Sequence, residues 1–269
     1  LSPARQYNCS YMPADNIKFF QELMFLLLSG CGVGYSVQRS HVENLPYIQK
    51  PRGEKRFLIE DSIEGWADAV RALVLAYFGN RKELPKFDYR IIRPKGSPIK
   101  TAGGKAPGWE PLETCLTKIN EILKVKNDGE KLSPLEVHEI ACHIADAVLS
   151  GGVRRSAMIC LFSFDDKEMM NCKTGNWYET KPHLARANNS VVVVRHKVKR
   201  KDFDKIWKMT RENLSGEPGI FLTNDAGKFG GNPCLEISLQ NYGFCNLCEI
   251  NVSDVTDQEQ LNKRAKVAA

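Results

Sequence analysis

Helical and extended patterns alternate along this chain, and the alternation restricts the fold more than any other feature. Residues 16–29 and 61–78 carry helical patterns, and in 61–78 the apolar side chains recur three and four positions apart. A third helix opens at Ser133 with a capping box to Glu136 and runs to Leu149. Extended segments are expected at residues 33–38, 89–92, 157–164, 190–195, 219–222 and 245–252. Such alternation predicts an α/β architecture.

The composition is that of an ordinary globular protein, with 42% hydrophobic and 26% charged residues among 269. The longest apolar run, residues 19–28, is interrupted by Gln21 and Glu22 and is too short to span a bilayer. No secretory signal pattern opens the chain, so we expect a cytoplasmic protein without a membrane partner. The net charge of +6 is consistent with anionic ligands such as nucleotides but is too weak to imply nucleic acid. The basic run 195–201 is expected to be a solvated face.

The cysteines fit a reducing compartment, because there are nine of them, an odd number without secretory spacing. Most are expected to be free thiols. Five lie in apolar or helical contexts and are expected to serve packing: Cys31, Cys115, Cys142, Cys160 and Cys172.

The segment from Gly231 to Val252 concentrates reactive side chains. Asn232, Cys234 and Glu236 alternate with aliphatic residues, so an extended segment would place the three on one face. A carboxylate beside a thiol raises the thiol pKa and disfavours thiolate chemistry, whereas one-electron chemistry meets no such objection. Cys245 opens a second apolar stretch that could return antiparallel and bring its thiol near Cys234.

Two other interpretations of these thiols stay open. Cys245 and Cys248 have zinc-finger-like spacing, but on a strand they would point to opposite faces, and the chain contains no second C-x-x-C, so we expect no metal. Each thiol alone could also be an ordinary core residue, and Cys248 is expected to be structural. The five histidines show no metal or triad spacing: His41, His138, His143, His183 and His196.

The segment GNPCLEISLQNYGFCNL resembles the finger loop of ribonucleotide reductases, whose pattern is Asn-x-Cys-x-Glu followed by a second cysteine. Four other motifs agree in order: RQYNCSY from Arg5, GCGVGYSVQRS from Gly30, SGGVRRSA from Ser150 and NNSV from Asn188. The Asn-Pro-Cys form is most like the adenosylcobalamin-dependent (class II) enzymes. The resemblance implies the first half of a ten-stranded α/β barrel with the finger loop at its centre. Residues 79–111 are rich in glycine, proline and lysine, which predicts a surface excursion.

The resemblance also implies roles for individual residues. The thiyl radical would form on Cys234, Glu236 would be the general base, and Asn232 would bind the ribose hydroxyls. Cys9 and Cys245 would be the redox pair, which demands Cα atoms within about 4.4 to 6.8 Å. Substrate contacts are expected from Asn8, Asn232, Gly152 and Arg154, and effector contacts from Asp15, Asn16, Arg39, Arg154 and Arg155.

The implied enzyme reduces ribonucleoside di- or triphosphates to 2′-deoxyribonucleotides. Its class is the oxidoreductases that act on CH or CH2 groups with a disulfide as acceptor, named for the reverse direction, so that a dithiol is the electron donor in the reduction. Its expected cofactor is adenosylcobalamin, its effector a deoxynucleotide or ATP, and its reductant a thioredoxin- or glutaredoxin-type protein. Two alternatives stay open: the large chain of a diiron-partnered reductase, and a nucleotide-binding regulatory module without turnover. The chain starts at Leu1 and ends within a helical pattern, so we expect a single portion of a longer polypeptide, truncated at both ends and not necessarily active alone.

Overall fold

We describe a computed structural model of the chain, which covers residues 6–79, 83–99, 104–149, 156–213 and 215–269. A six-stranded sheet forms its centre. Its strands are β1 (Cys9–Pro13), β2 (Gly32–Ser36), β5 (Met158–Ser163), β6 (Asn188–Val194), β7 (Gly219–Thr223) and β10 (Phe244–Cys245). They lie side by side in the order β10-β1-β2-β5-β6-β7. The five longer strands are parallel, and β10 is antiparallel to β1 at the edge.

Two smaller sheets flank this centre. Parallel strands β3 (Gly53–Leu58) and β4 (Glu83–Asp88) form one, and antiparallel β8 (Phe229–Gly231) and β9 (Ser238–Gln240) form the other. The helices are α1 (Lys18–Ser29), α2 (Arg39–Val42), α3 (Ile63–Phe78), α4 (Glu110–Lys124), α5 (Pro134–Leu149), α6 (Lys167–Asn171), α7 (Trp177–Thr180), α8 (Arg200–Glu212) and α9 (Gln258–Ala268), with a 3₁₀ helix at Pro182–Arg186. Within the described ranges, no helix is both long and apolar enough to cross a membrane.

The main core lies between the central sheet and the helices α1, α3 and α5. Phe19 and Phe20 of α1, Tyr35 of β2 and Phe162 of β5 are fully buried there. The capping box of α5 is confirmed, since Ser133 Oγ accepts from the Glu136 amide at 3.2 Å and Glu136 accepts from the Ser133 amide at 2.7 Å. Phe19 and Phe20 belong to the segment 16–29 that the sequence predicted to be helical, so apolar side chains of that segment pack in the core against the sheet.

A hairpin of β8 and β9 packs over β1 and β2 and forms a second, smaller core with Tyr11, Leu161, Val192 and Leu239. Glycines set this contact. A Cβ on Gly34 would lie 1.9 Å from the carbonyl oxygen of Gly231, and one on Gly230 would lie 2.1 Å from the Tyr11 ring. We call the Gly34–Gly231 contact the glycine seam, because only glycine lets the hairpin backbone approach the sheet so closely.

The predicted α/β class with a largely parallel sheet is confirmed, and so are four of the expected strands, at β2, β5, β6 and β7. The strand expected at 89–92 is wrong, since these residues form a turn after β4. Ile92 is buried in the core, and the Tyr89 ring lies 5.4 Å from that of Trp109, so their apolar character serves packing instead. The strand expected at 245–252 stops at Cys245, and the following residues are mostly exposed.

Candidate active site

Cys9 and Cys245 face each other across the β1–β10 pair, where the register makes them direct partners. Directly opposed residues of antiparallel strands have Cα atoms about 4.5 to 5.5 Å apart, which is within disulfide reach. The Asn8 amide donates to the Cys245 carbonyl at 3.2 Å, and the Asn8 side chain accepts from the Leu247 amide at 3.0 Å. The register thus places opposite each other the two residues that the sequence predicted as the redox pair, and both thiols are free.

The Asn232–Glu236 segment is the tip of the β8–β9 hairpin, so the expectation of a continuous strand is wrong. The Leu235 amide donates to the Asn232 carbonyl at 2.9 Å, which closes a turn with Pro233 at its favoured second position. Leu235 then takes the left-handed conformation, with φ 63°. Cys234 and Glu236 are exposed as the alternation predicted, but Asn232 is fully buried.

Asn232 connects the hairpin tip to the cysteine pair. Its Nδ2 donates to Glu236 Oε1 at 2.7 Å and lies 3.9 Å from Cys9 Sγ, and its Oδ1 accepts from the Ile237 amide at 3.1 Å. A buried amide with these partners is fixed in orientation. One side chain therefore positions the carboxylate of Glu236 relative to Cys9.

The surroundings of Cys234 and Cys245 raise the pKa of both thiols. For Cys234 the largest cause is its limited burial, and the nearby Glu236 carboxylate raises the pKa further. Burial and then Cys9 raise the pKa of Cys245 well above its usual range. Thiols in this state are poor thiolate nucleophiles but retain the S–H bond that hydrogen-atom transfer uses.

Among the described residues, no group of three or more His, Cys, Asp or Glu side chains is placed to hold a metal ion. Cys248, three residues beyond Cys245, is exposed.

The residues proposed for effector binding divide into two places. Asp15 and Asn16 follow β1, where Asp15 Oδ1 accepts from the Tyr242 hydroxyl at 2.6 Å and from Asn16 Nδ2 at 2.8 Å. Arg39, at the start of α2, lies 3.7 Å from Asp165 and is half exposed. Gly152, Arg154 and Arg155 lie outside the described residues, so their predicted roles stay predictions.

Two features of the site escaped the sequence interpretation. The first is the glycine seam, for which the pair Gly230-Gly231 directly before Asn232 was an available signal. The second is Tyr242, which the dipeptide Tyr242-Gly243 could have marked only as a turn.

A comparison with models of known protein families found no match. The chain is, however, similar to adenosylcobalamin-dependent ribonucleoside-triphosphate reductases: it is 31% identical to that of Euglena gracilis over 266 residues, covering 90% of this chain and 35% of the relative. Identity is 33% to the probable enzyme of Dictyostelium discoideum, over 79% of this chain and 29% of the relative. Identity to the enzyme of Lactobacillus delbrueckii is 30%, over 86% of this chain and 37% of the relative. The chain thus spans about a third of the length of these relatives.

The fold has a solved counterpart in a crystal structure of B-12 dependent (class II) ribonucleotide reductase. The TM-score is 0.72 at 24% identity, and the match covers 87% of this chain and 41% of that one. Fold and site together define an α/β protein with clustered thiols and a carboxylate beside a parallel sheet. The chain is similar to adenosylcobalamin-dependent ribonucleotide reductases over most of its own length, as its sequence motifs indicated.

Proposed function

We propose that this chain supplies the catalytic cysteines of a reductase that converts ribonucleotides to 2′-deoxyribonucleotides through a thiyl radical on Cys234. The observation that carries the proposal is the set of contacts around Asn232. Its side chain bonds Glu236 and lies close to Cys9, and Cys9 in turn lies opposite Cys245 in the strand register. Three chemical functions are thus available within one site: a hydrogen-abstracting thiol, a base and a two-electron reductant. The names of the relatives support ribonucleoside triphosphates as the substrate class.

The proposed reaction gives each group a distinct role. A thiyl radical on Cys234 removes the hydrogen atom at C3′, and Glu236 accepts the proton of the 3′ hydroxyl. The 2′ hydroxyl leaves as water with a proton from the cysteine pair. Cys9 and Cys245 become a disulfide by giving up two electrons, the proton that leaves in the water and a hydrogen that is delivered to C2′. Glu236 then returns its proton to the 3′ oxygen, and Cys234 returns its hydrogen atom to C3′.

Asn232 orients Glu236 for that proton transfer. Its buried amide already bonds Glu236 and the Ile237 backbone, which supports a role in fixing the base. Its further contact with the ribose hydroxyls, and the substrate contacts of Asn8, remain part of the proposal.

The site fits adenosylcobalamin in one respect: the Cys234 side chain is exposed at the hairpin tip, where a group outside the described chain can reach it. When bound, this cofactor supplies the one-electron oxidation that turns a thiol into a thiyl radical. The raised pKa of Cys234 preserves the S–H bond from which a hydrogen atom is taken.

The architecture we propose for the whole protein is a ten-stranded α/β barrel, of which β1, β2, β5, β6 and β7 would form the first half. Five parallel strands, together with a hairpin lying on the sheet as a finger loop would, support this proposal. Control by a deoxynucleotide or ATP effector, re-reduction by a thioredoxin- or glutaredoxin-type protein and a cytoplasmic location complete it. The nine free thiols support a reducing compartment.

The test compares three serine variants of the full-length protein supplied with adenosylcobalamin, a ribonucleoside triphosphate and a dithiol. Cys234→Ser should abolish both deoxynucleotide formation and hydrogen exchange at C3′, because serine cannot form the thiyl radical. Cys9→Ser and Cys245→Ser should still start the reaction but release free base instead of deoxynucleotide. Cys172→Ser, outside the site, is the matched control and should keep full activity. Equal residual reduction in the Cys234 and Cys245 variants would disprove the mechanism.

A further inference from the structure

The turn that leads into Cys245 has an unusual residue at its strained position. The Gly243 amide donates to the Gln240 carbonyl at 2.9 Å, which closes a four-residue turn, and Tyr242 occupies its third position with φ 62°. Glycine or asparagine normally takes this left-handed position, because a larger side chain is disfavoured there. A tyrosine stays in it only when other contacts hold it.

Those contacts come from the residues that follow β1. The Tyr242 hydroxyl donates to the Asp15 carboxylate at 2.6 Å and accepts from Asn16 Nδ2 at 3.0 Å. The Gly243 carbonyl accepts from the Tyr11 amide at 3.0 Å, so the turn is also attached to the β1 backbone. The bond to Asp15 is short and charge-assisted, the strong kind of hydrogen bond.

Both ends of this attachment lead to the cysteine pair. Tyr242 precedes Cys245 by three residues, and Asp15 follows Cys9 on the segment that continues β1. The β1–β10 ladder itself is short, with only Cys9–Cys245 and Ser10–Phe244 in register. Two residue pairs stabilise the position of the edge strand β10 only weakly, so that position depends on the contacts of the residues at its ends.

We infer that Tyr242 is a positioning residue whose bond to Asp15 holds the strained turn and thereby keeps the Cys245 thiol in line with Cys9. This inference deepens the proposed function, because the redox pair is the one that function uses. Loss of the hydroxyl frees the turn to relax toward a commoner conformation, and β10 then departs from its register.

Closure of the pair can be measured without nucleotide or cofactor. With oxidised dithiothreitol as the oxidant, the Cys9 and Cys245 thiols form their disulfide and the reagent becomes the dithiol. Acid quenching, alkylation of remaining thiols and mass spectrometry of the linked peptide give the rate in the full-length protein. Tyr242→Phe, which keeps the ring and removes the hydroxyl, should slow this rate by about tenfold, the size expected for loss of one hydrogen bond to a charged group.

The matched control is Tyr7→Phe, which removes a hydroxyl from a ring lying 4.8 Å from Phe244 beside the same pair. It should close at the rate of the unmodified protein. Tyr242→Asn tests whether the anchor or the strain matters, because asparagine tolerates the left-handed turn but cannot reach Asp15 as tyrosine does. Slow closure in this variant supports the anchor, provided that the buried thiol of Cys160 stays protected from alkylation, which shows that the fold is retained.

Closure by Tyr242→Phe or Tyr242→Asn at the rate of the unmodified protein would overturn the inference. The outcome is separable from that of the proposed function. Failure of the unmodified full-length protein to make deoxynucleotide would refute the proposed function, whereas the closure rates would still report on Tyr242.

Discussion

Cysteines occur in two regions of this molecule, and the same side chain meets opposite conditions in each. Behind the sheet, Cys115, Cys142 and Cys160 are fully buried among apolar side chains. On the hairpin side, Cys234 is exposed and Cys245 half-buried. Burial raises the pKa of the core thiols, and partial burial with neighbouring charge raises those of the hairpin thiols too. The pKa shifts therefore have the same direction in both regions, and what distinguishes the hairpin thiols is their access to solvent and their polar neighbours.

The largest expected effect concerns Glu236, and it tests whether this neighbouring carboxylate is needed for the proposed chemistry of Cys234. Glu236→Gln should lower the rate of deoxynucleotide formation by about 10² to 10⁴, because a carboxamide cannot accept the 3′ hydroxyl proton. Steady-state product formation by the full-length enzyme measures it. Glu249→Gln, an exposed carboxylate beyond Cys248, is the control and should leave the rate unchanged. An equal loss of rate in the Glu236 and Glu249 variants would contradict the role of Glu236 as the general base.

The next prediction concerns the glycine seam, where the hairpin that carries Cys234 contacts the central sheet. Gly34→Ala adds a Cβ that would lie 1.9 Å from the Gly231 carbonyl oxygen, so the hairpin must shift. We expect the free energy of unfolding to fall by about 1 to 3 kcal/mol, as for other overpacked sites. Urea denaturation measures it. Gly53→Ala, whose Cβ would meet Glu83 at an ordinary 3.8 Å, should be nearly neutral, and equal losses in the two variants would contradict the seam.

The core region should respond to acid. Burial, followed by the charges of Lys173 and His183, lowers the pKa of His138 to about 3, and a 2.7 Å hydrogen bond joins its Nδ1 to Tyr35. Below the unfolded pKa of about 6.5, the unfolded chain binds a proton that the folded chain does not. The contribution of neutral His138 is thus complete above that pH and falls by about 1.4 kcal/mol per pH unit as the pH drops toward 3.

Urea midpoints between pH 7 and pH 5 measure this dependence. His138→Gln should flatten it, whereas His196→Gln, at an exposed position, should reproduce the slope of the unmodified protein. An unchanged slope in His138→Gln would assign the acid sensitivity to other groups, such as His143, whose pKa burial also lowers, to about 4.

The smallest effect concerns thiol labelling. At pH 8 an alkylating reagent should modify Cys234 and Cys248 in the folded protein, and the core thiols only after denaturation. Glu236→Gln should speed labelling of Cys234 a few-fold, because removing the negative charge lowers the thiol pKa and raises the thiolate fraction. Peptide mass spectrometry follows each site, and Cys248 serves as the internal reference. Slower labelling of Cys234 in this variant would reverse the assigned electrostatics.

The sequence predicted elements whose signals are local. The capping box at Ser133 and the valine-rich strand β6 depend on a few adjacent residues, and both are found where expected. The strand expected over Asn232 failed because alternation alone does not reveal the left-handed backbone of Leu235, a residue that disfavours it. Tyr242 was missed for the same reason. The meeting of Cys9 with Cys245 joins nearly opposite ends of the chain, so only the family resemblance could predict it.

The glycine seam also has a consequence for how this protein can evolve. Because backbone meets backbone at Gly34 and Gly231, the van der Waals contact of main-chain atoms limits how far the hairpin lies from the sheet at this point. Apolar exchanges in the helix core, at Leu23 or Phe162 for example, can therefore change stability while the hairpin keeps its distance from the strands. We therefore expect substitutions in the helix core to leave the position of Cys234 relative to the sheet unchanged.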